Sequence, residues 1–226
     1  MSIVLNVVIV KWYEMNTLPN SRRVIFVSIM AALGNVMFIV SRTIFATNQI
    51  ALDLSHIGTF IAAVYGGPWV GFLVGLVVGV GPGLYFGYFG GSLGLLGAVG
   101  LPIGKALTGL TVGYLSSLLR TKIREHQSWM IAFAILIGYL PECIFTIFYF
   151  ETLVAILLPN VAESFITYFG SLHLLVISIL TKAWIEIALL SVFMGALVGN
   201  SGFADFMNRM LTPSKIIPKL EPSKPN

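Results

Sequence analysis

The sequence predicts an all-α integral membrane protein: six transmembrane helices in one bundle, with both termini cytoplasmic. Three observations predict this fold class. Of the 226 residues, 57% are hydrophobic and only 10% are charged, whereas a soluble domain carries roughly 25% charged residues. The mean hydropathy is +0.93. The apolar residues also form runs close to the roughly 20 helical residues that cross a bilayer, and the basic residues gather between alternate runs.

Six apolar runs are candidate spans, and they lie at about 24–41, 50–66, 68–88, 93–119, 129–150 and 173–200. The second is short and begins with polar residues. Residues 2–10 are too few to span and lack the pattern of a signal peptide, so an interfacial helix is expected there. Residues 1–226 are predicted to form a single membrane domain. The proline- and lysine-rich residues 211–226 are predicted to be a disordered cytoplasmic tail.

The basic residues predict the orientation. Six spans place ten of the 13 Lys and Arg residues on one side of the membrane, namely Lys11, Arg22, Arg23, Arg120, Lys122, Arg124, Arg209, Lys215, Lys219 and Lys224. The opposite side receives only Arg42. By the positive-inside rule the basic side is cytoplasmic, which predicts a multi-pass protein of the cell membrane. The outer loops are then about 42–50, 87–93 and 151–172, and the long third loop is expected to cover a binding site.

Glycines recur at every fourth position of the third span, at Gly67, Gly71, Gly75 and Gly79. Because lipid provides no hydrophobic drive between helices, they associate through close packing, which small residues permit. The fourth span continues the pattern with Gly100, Gly104, Gly109 and Gly113. A helix-packing surface is predicted, and movement against a partner helix is the alternative. Gly66–Gly67–Pro68 predicts a tight cytoplasmic turn, since proline is tolerated in the first turn of a helix.

Four ionisable residues lie near the middle of predicted spans: Lys105, Glu142, Lys182 and Glu186. Each would cost about 2.5–3.5 kcal/mol if it faced lipid, so all four are expected to face the bundle interior. Lys182 and Glu186 are four residues apart on one helix and can touch. Three interpretations remain open: a structural charge network, a polar binding site for a small solute, or a proton or ion relay.

Two prolines favour a cavity beside these charges. Pro102 and Pro141 precede Lys105 and Glu142 by one to three positions. A proline within a span kinks the helix and frees a backbone carbonyl, which protein or water must then satisfy.

Asp53 and His56 stand at the outer end of the second span. Asp53 is expected to cap that helix by accepting hydrogen bonds from its first-turn N–H groups. His56 is interpreted as an interior imidazole rather than a ligand, and the scattered histidines predict no metal site. Cys143 is expected to be a buried, packed thiol.

Motifs of catalysis and nucleotide binding are missing from the sequence. "GLPIGKA" has the wrong spacing for a P-loop and lacks its hydroxyl, and neither H-E-x-x-H nor G-x-S-x-G occurs. No enzyme and no cofactor are therefore predicted.

The stretch "IALDLSHIGTFIAAVYGGPWVGFLVGLVVG", residues 50–79, resembles the second and third helices of the substrate-binding S components of energy-coupling factor (ECF) transporters, a type of ABC importer. The resemblance rests on the apolar–Asp–apolar start, the small-residue helix and the Gly-Pro turn, and it extends over about 24–120. It implies high-affinity capture of a vitamin-like micronutrient from outside the cell. It also implies a transmembrane coupling subunit and two ATPase subunits as partners.

The resemblance further implies two sets of residues. The family's Ala-x-x-x-Ala docking motif corresponds here to Ser28–Ala32 and Ala31–Asn35, in which serine and asparagine replace two alanines. The family's ligand lies toward the outer face, which implies substrate contacts by Lys105, Glu142, Lys182, Glu186 and His173, with Trp184 and Tyr85 stacking on a ring. The sequence thus predicts a substrate-binding importer subunit. The alternatives are an autonomous ion- or proton-coupled transporter that uses Glu142 or Glu186, and a membrane scaffold with a structural charge network.

Overall fold

The structure is a computed structural model and is described here over residues 20–45, 53–120 and 127–211. Within these ranges the chain is almost entirely helical and contains no strand, so the all-α prediction is confirmed for them. The helices are α1 (Asn20–Phe45), α2 (His56–Gly66), α3 (Pro68–Leu84), α4 (Gly94–Arg120), α5 (Gln127–Gly138), α6 (Leu140–Phe148), α7 (Pro159–Phe169), α8 (Leu172–Gly199) and α9 (Ser201–Leu211). The predicted interfacial helix at 2–10 and the predicted tail, apart from Leu211, lie outside the described residues.

Five helical stretches are long and apolar enough to cross a membrane: Ser21–Ile44, Pro68–Phe89, Gly94–Leu119, Ser128–Leu157 and Leu172–Gly199. They correspond to five of the six predicted spans. Large hydrophobic side chains lie exposed along their outer faces, including Ile25, Val77 and Val192. A soluble protein would bury such surfaces, so the chain is a multi-pass membrane protein.

The second predicted span, about 50–66, is shorter in the structure. Helix α2 has 11 residues, a length of about 16 Å at 1.5 Å per residue, which is roughly half of the hydrocarbon core. The described part of this segment is therefore too short to span as a helix by itself, and residues 46–52 lie outside the description.

The contacts between helices define their directions. Helices α1 and α3 run parallel, because Phe26 lies against Gly66 at one end while Asn35 lies against Gly81 farther along. Helix α2 runs antiparallel to α1, because Gly58 lies against Met30 and Gly66 against Phe26. Helices α3 and α4 run antiparallel. Helix α4 also runs antiparallel to the α5–α6 pair, because Val112 lies against Gly138 while Gly100 lies against Tyr149, which directly follows α6.

Helix α8 runs antiparallel to α5–α6, since Gly199 lies against Ser128 while Trp184 contacts Tyr139. The first residues of α1 and the last residues of α8 consequently lie at the same end of the bundle. Helix α9 follows at that end, where its Phe203 ring lies 5.8 Å from the ring of Tyr65.

The glycines of α3 form the surface on which α4 packs. A Cβ atom on Gly71 would overlap the carbonyl oxygen of Gly109, and one on Gly75 would overlap the carbonyl oxygen of Lys105. Gly79 lies equally close to the backbone of Pro102. The backbones of α3 and α4 are therefore in direct contact along this interface. The glycines spaced four residues apart on α3 form a helix-packing surface, as predicted.

The turn between α2 and α3 is as tight as predicted. Gly67 has φ of 86°, a conformation that favours glycine, and Pro68 occupies the first turn of α3. The chain thus reverses direction within a single residue.

Residues 151–172 were predicted to be a long loop, and this prediction is wrong. Most of the segment is helical: a π-helical stretch, Tyr149–Val154, continues into a turn at Ala155–Leu157 and then α7. A similar π-helical stretch, Tyr85–Phe89, follows α3. Helix α7 is amphipathic, and its Ala162 and Phe165 pack against Tyr149 and Val154. This apolar face explains why the segment folds onto the bundle.

The proline break in the fifth span occurs where it was predicted. Helices α5 and α6 are separated at Tyr139, and Pro141 lies in the first turn of α6. The N–H of Glu142 bonds to the carbonyl of Tyr139 instead of the carbonyl four residues back. The carbonyl of Gly138 accepts from the hydroxyl of Thr111 on α4, at 2.5 Å. Pro102, in contrast, lies within a continuous α4.

Glycine-to-alanine substitutions should lower the stability of the fold at the glycines where helix backbones touch, and not at the other glycines. We expect Gly75→Ala to destabilise the fold by about 1–3 kcal/mol, because its methyl group would meet backbone that cannot move aside. Gly104→Ala is the matched control, since its Cβ would lie 3.4 Å from the nearest atom, the Cγ of Glu142. Thermal unfolding in detergent measures the difference. Equal melting temperatures for the two variants would contradict the packing role of Gly75.

Candidate functional site

Six ionisable side chains gather near the middle of the bundle, and we refer to them as the charged cluster: Asp53, His56, Lys105, Glu142, Lys182 and Glu186. They come from the start of α2 and from α4, α6 and α8. The four charges predicted to face inward therefore do so, and two residues at the start of α2 join them. Because α2 begins at this depth, its first turn belongs to the cluster.

Lys105 is held by Asp53. Its Nζ donates to Oδ2 of Asp53 at 2.9 Å and to Oγ of Ser55 at 2.8 Å, and the lysine side chain is only 5% exposed. A buried ammonium without such acceptors would be strongly unfavourable. This pair joins α4 to the start of α2.

The predicted helix-capping role of Asp53 is wrong. Helix α2 begins at His56, and its N-cap residue, Ser55, makes no side-chain capping bond. The carboxylate of Asp53 accepts instead from the N–H of Ser55, at 2.9 Å, before the helix starts. Its other oxygen is directed to Lys105, because the buried ammonium is the stronger partner.

Glu186 connects α8 to the same place. Its Oε1 lies 3.3 Å from Nζ of Lys182, one turn away, and accepts from the backbone N–H of Asp53 at 2.6 Å. The Lys182 side chain is 28% exposed, compared with 5% for Glu186. Lys182 therefore marks an edge of the charged cluster that protein does not fully cover.

Glu142 differs from the other two carboxylates. Its Oε2 accepts from the hydroxyl of Thr108, and its Oε1 lies 3.6 Å from Nε2 of His56, beyond a normal hydrogen bond. Among the described residues, no lysine or arginine nitrogen forms an ion pair with it. This acid is therefore buried with weaker compensation than Asp53 or Glu186.

His56 is the interior imidazole that the sequence predicts, but it is incompletely paired. Its ring stacks on Phe60 with 5.5 Å between centroids and meets Tyr139 edge-on. Its Nδ1 and the Oγ1 of Thr59, one turn later, are buried and lack hydrogen-bond partners within the described ranges. Buried polar atoms are nearly always paired. The unpaired Nδ1 of His56, whose ring approaches Glu142, indicates unused hydrogen-bonding capacity at this place.

Trp184 is the one predicted aromatic residue beside the charged cluster. Its ring is half-buried and meets Tyr139 edge-on, with 5.5 Å between centroids. Tyr85 lies elsewhere: its hydroxyl accepts from Arg42, whose guanidinium carbon also lies 3.8 Å from the centre of its ring. His173 is exposed and pairs with Glu151 at 2.8 Å. The structure therefore does not bring Tyr85 and His173 to the charged cluster.

The four predicted docking residues divide between two faces of α1. Ser28 and Ala32 are exposed, whereas Ala31 is buried. Asn35 binds α3, donating to the carbonyl of Val77 at 3.2 Å and accepting from the N–H of Gly81 at 3.1 Å. The pair Ala31–Asn35 is thus used inside the bundle, which leaves only Ser28–Ala32 available to a partner.

Three residues of this site were not identified from the sequence: Asp53 as the partner of Lys105, Ser55 and Thr108. Thr108 follows Lys105 by three positions, a spacing that places both on one helix face and could have identified it. No three His, Cys, Asp or Glu side chains in the described ranges are arranged to hold a metal ion. Cys143 is buried, as expected.

Comparison with protein-family models, with curated protein sequences and with solved structures gives no match to this chain.

The Asp53–Lys105 pair should show strong coupling in a double-mutant cycle. Asp53→Asn leaves a buried ammonium without its carboxylate and should destabilise the protein by about 3 kcal/mol, as breaking a buried ion pair does. Asp53→Asn combined with Lys105→Met should be more stable than Asp53→Asn alone, because no unpaired charge remains. Thermal unfolding in detergent reports both, with the exposed Glu163→Gln on α7 as control. Additive effects of the two substitutions would contradict the pairing.

Proposed function

We propose that this protein is the high-affinity, substrate-binding membrane subunit of an ATP-driven ECF-type importer. Its substrate would be a vitamin-like micronutrient, and it would work with separate coupling and ATPase subunits. The charged cluster is the observation that carries this proposal. Binding sites of membrane transporters commonly lie near the bilayer midplane, at the ends of helices that do not cross completely. The start of α2 beside Lys105 and Glu142 has this arrangement.

The incomplete pairing within the charged cluster favours a binding site over a purely structural network. A network that only joined helices would be expected to satisfy each member, because low dielectric makes every unpaired group costly. Here Glu142 lacks a lysine, and Nδ1 of His56 and Oγ1 of Thr59 lack partners among the described residues. Lys182 adds an edge that a solute can approach.

The proposal includes six crossings with both termini cytoplasmic. Helix α2 runs antiparallel to α1, with Gly58 against Met30 and Gly66 against Phe26, and the proposal takes the segment that ends in α2 as the sixth crossing. Arg22 and Arg209 lie at the end of the bundle shared by the start of α1 and α9. By the positive-inside rule this end faces the cytoplasm, and the chain belongs in the cell membrane.

The exposed face of α1 is the proposed docking surface for the coupling subunit. Ser28 and Ala32 lie on it, flanked by the exposed side chains of Ile25, Ile29 and Val36. Two small residues one turn apart let a partner helix approach closely, with larger apolar side chains packing on either side.

A proton-coupled carrier is the second candidate, and the proximity of Glu142 and His56 favours it. Buried carboxylates and histidines form proton relays in pumps and transporters. The two functions differ in what they require. A carrier moves substrate alone in liposomes when a pH gradient is imposed, whereas an importer subunit requires its ATPase partners.

Native mass spectrometry of the gently purified protein should reveal a retained, water-soluble metabolite. Glu142→Gln and Lys182→Met should each lose it while remaining folded, because each removes a charge from the site but preserves most of the side-chain volume. Glu163→Gln, on the exposed face of α7, should retain it. No metabolite after growth in several media, with both cluster variants merely unstable, would argue for a structural network instead.

Enlarging a small residue on α1 should block assembly without affecting substrate binding. Ala32→Trp places a bulky ring on the proposed docking surface and should abolish co-purification of the coupling and ATPase subunits. Ala188→Trp, an exposed alanine on α8, is the matched control and should leave assembly intact. Loss of assembly in both variants, or in neither, would rule out a specific docking role for this face.

A further inference from the structure

The charged cluster contains more negative than positive groups. In the described part of the chain it holds three carboxylates, those of Asp53, Glu142 and Glu186, and two ammonium groups, those of Lys105 and Lys182. Each lysine has its own carboxylate, at 2.9 Å for Lys105 and 3.3 Å for Lys182. The surplus negative charge therefore belongs to Glu142. Residues 46–52, which precede Asp53, contain no ionisable side chain.

His56 does not neutralise Glu142 in this arrangement. A protonated imidazole carries two N–H donors, and each requires an acceptor when buried. Nδ1 of His56 has no partner among the described residues, and Nε2 lies 3.6 Å from Glu142, too far for a normal hydrogen bond. In the neutral ring with its proton on Nε2, Nδ1 is an acceptor, so no N–H donor is buried there without a partner. With His56 neutral, the buried carboxylate of Glu142 keeps the hydroxyl of Thr108 as a partner but has no ion pair among the described residues, and a bound cation would compensate its charge.

Protein does not fully cover this side chain, since 13% of Glu142 is exposed. Gly104 on α4 faces Glu142, and a Cβ atom there would lie 3.4 Å from its Cγ and 3.5 Å from its Oε1. These are ordinary contact distances, so Gly104→Ala would place a methyl group against the carboxylate without overlapping it. The packing glycines differ, because Gly71 and Gly75 have no room for a Cβ atom at all.

We propose that the substrate carries a cationic nitrogen that binds the carboxylate of Glu142. This nitrogen would be that of a protonated amine, an amidinium or a quaternised heteroaromatic ring. The inference rests on the proposed binding function and defines its substrate class. The cation supplies a counter-charge that neither lysine ion pair provides, and Nδ1 of His56 accepts a hydrogen bond from a neighbouring donor on the substrate. Tyr139 and Trp184 add aromatic surface, which suits a cation and its apolar frame.

The test identifies the retained metabolite and compares three variants. Native mass spectrometry of the full-length protein gives the occupancy, and the released molecule is then characterised for its charge at neutral pH. Glu142→Gln removes the charge and keeps the shape, whereas Gly104→Ala adds a methyl group against the carboxylate and keeps the charge. We expect a cationic molecule, with affinity reduced about tenfold or more in both variants, as for loss of a charge-assisted hydrogen bond. Glu163→Gln should bind like the parent protein, and unchanged melting of Gly104→Ala should show that its fold is intact.

The remaining outcomes separate this inference from the proposed function. A neutral or anionic metabolite, lost in Lys182→Met but retained in Glu142→Gln, would overturn the cationic assignment and leave a binding subunit. A cationic metabolite that Glu142→Gln and Gly104→Ala both retain at full affinity would overturn the assignment to this place. If the parent protein retains no metabolite from any growth medium, the binding function fails and this inference fails with it.

Discussion

The backbone contact between α3 and α4 is the constraint on which the rest of the structure depends. Helices normally pack with their axes 8–10 Å apart, at a distance set by the side chains between them. Here Gly71 and Gly75 have no side chain, so α4 lies directly on α3 and the carbonyl of Lys105 is fixed against Gly75. Helix α2 packs on the same pair, with Ala63 against Gly71 of α3 and Thr59 against Gly109 of α4. The ammonium of Lys105 is thereby presented to Asp53 at the start of α2.

The charged cluster lies where this glycine-packed assembly meets α6 and α8. Three contacts cross the junction: the N–H of Asp53 to Glu186, the hydroxyl of Thr108 to Glu142, and the approach of His56 to Glu142. Two of the three involve Glu142. A group bound to this carboxylate would therefore contact both sides of the junction, so occupancy of the site would influence how the two sides fit together. An importer subunit that must signal its loaded state to a partner requires such a connection.

Much of this architecture could be predicted from the sequence, because lipid imposes simple rules. Apolar length located the five long helical stretches to within a few residues, except at the end of Ser128–Leu157. The cost of charge in lipid predicted that Lys105, Glu142, Lys182 and Glu186 face inward. The pairing of Asp53 with Lys105 could not be predicted, since it depends on α2 beginning near mid-depth rather than at the surface. The helical fold of residues 151–172 was missed because the segment was assigned as a loop from its position between two predicted spans. Tyr85 and His173 were assigned by resemblance, which carries no information on their contacts.

The positions of the charged residues along the chain also affect how the protein inserts into the membrane. Asp53 and Lys105 both belong to the part of the chain that precedes residue 121, and Lys182 and Glu186 lie one turn apart on a single helix. Each pair can thus be neutralised within its own segment as the helices leave the translocon. Only Glu142 enters the bilayer without a lysine partner and must wait for the hydroxyl of Thr108 on a helix already inserted. Membrane insertion would therefore be most sensitive at α6, where Pro141 also interrupts the helix.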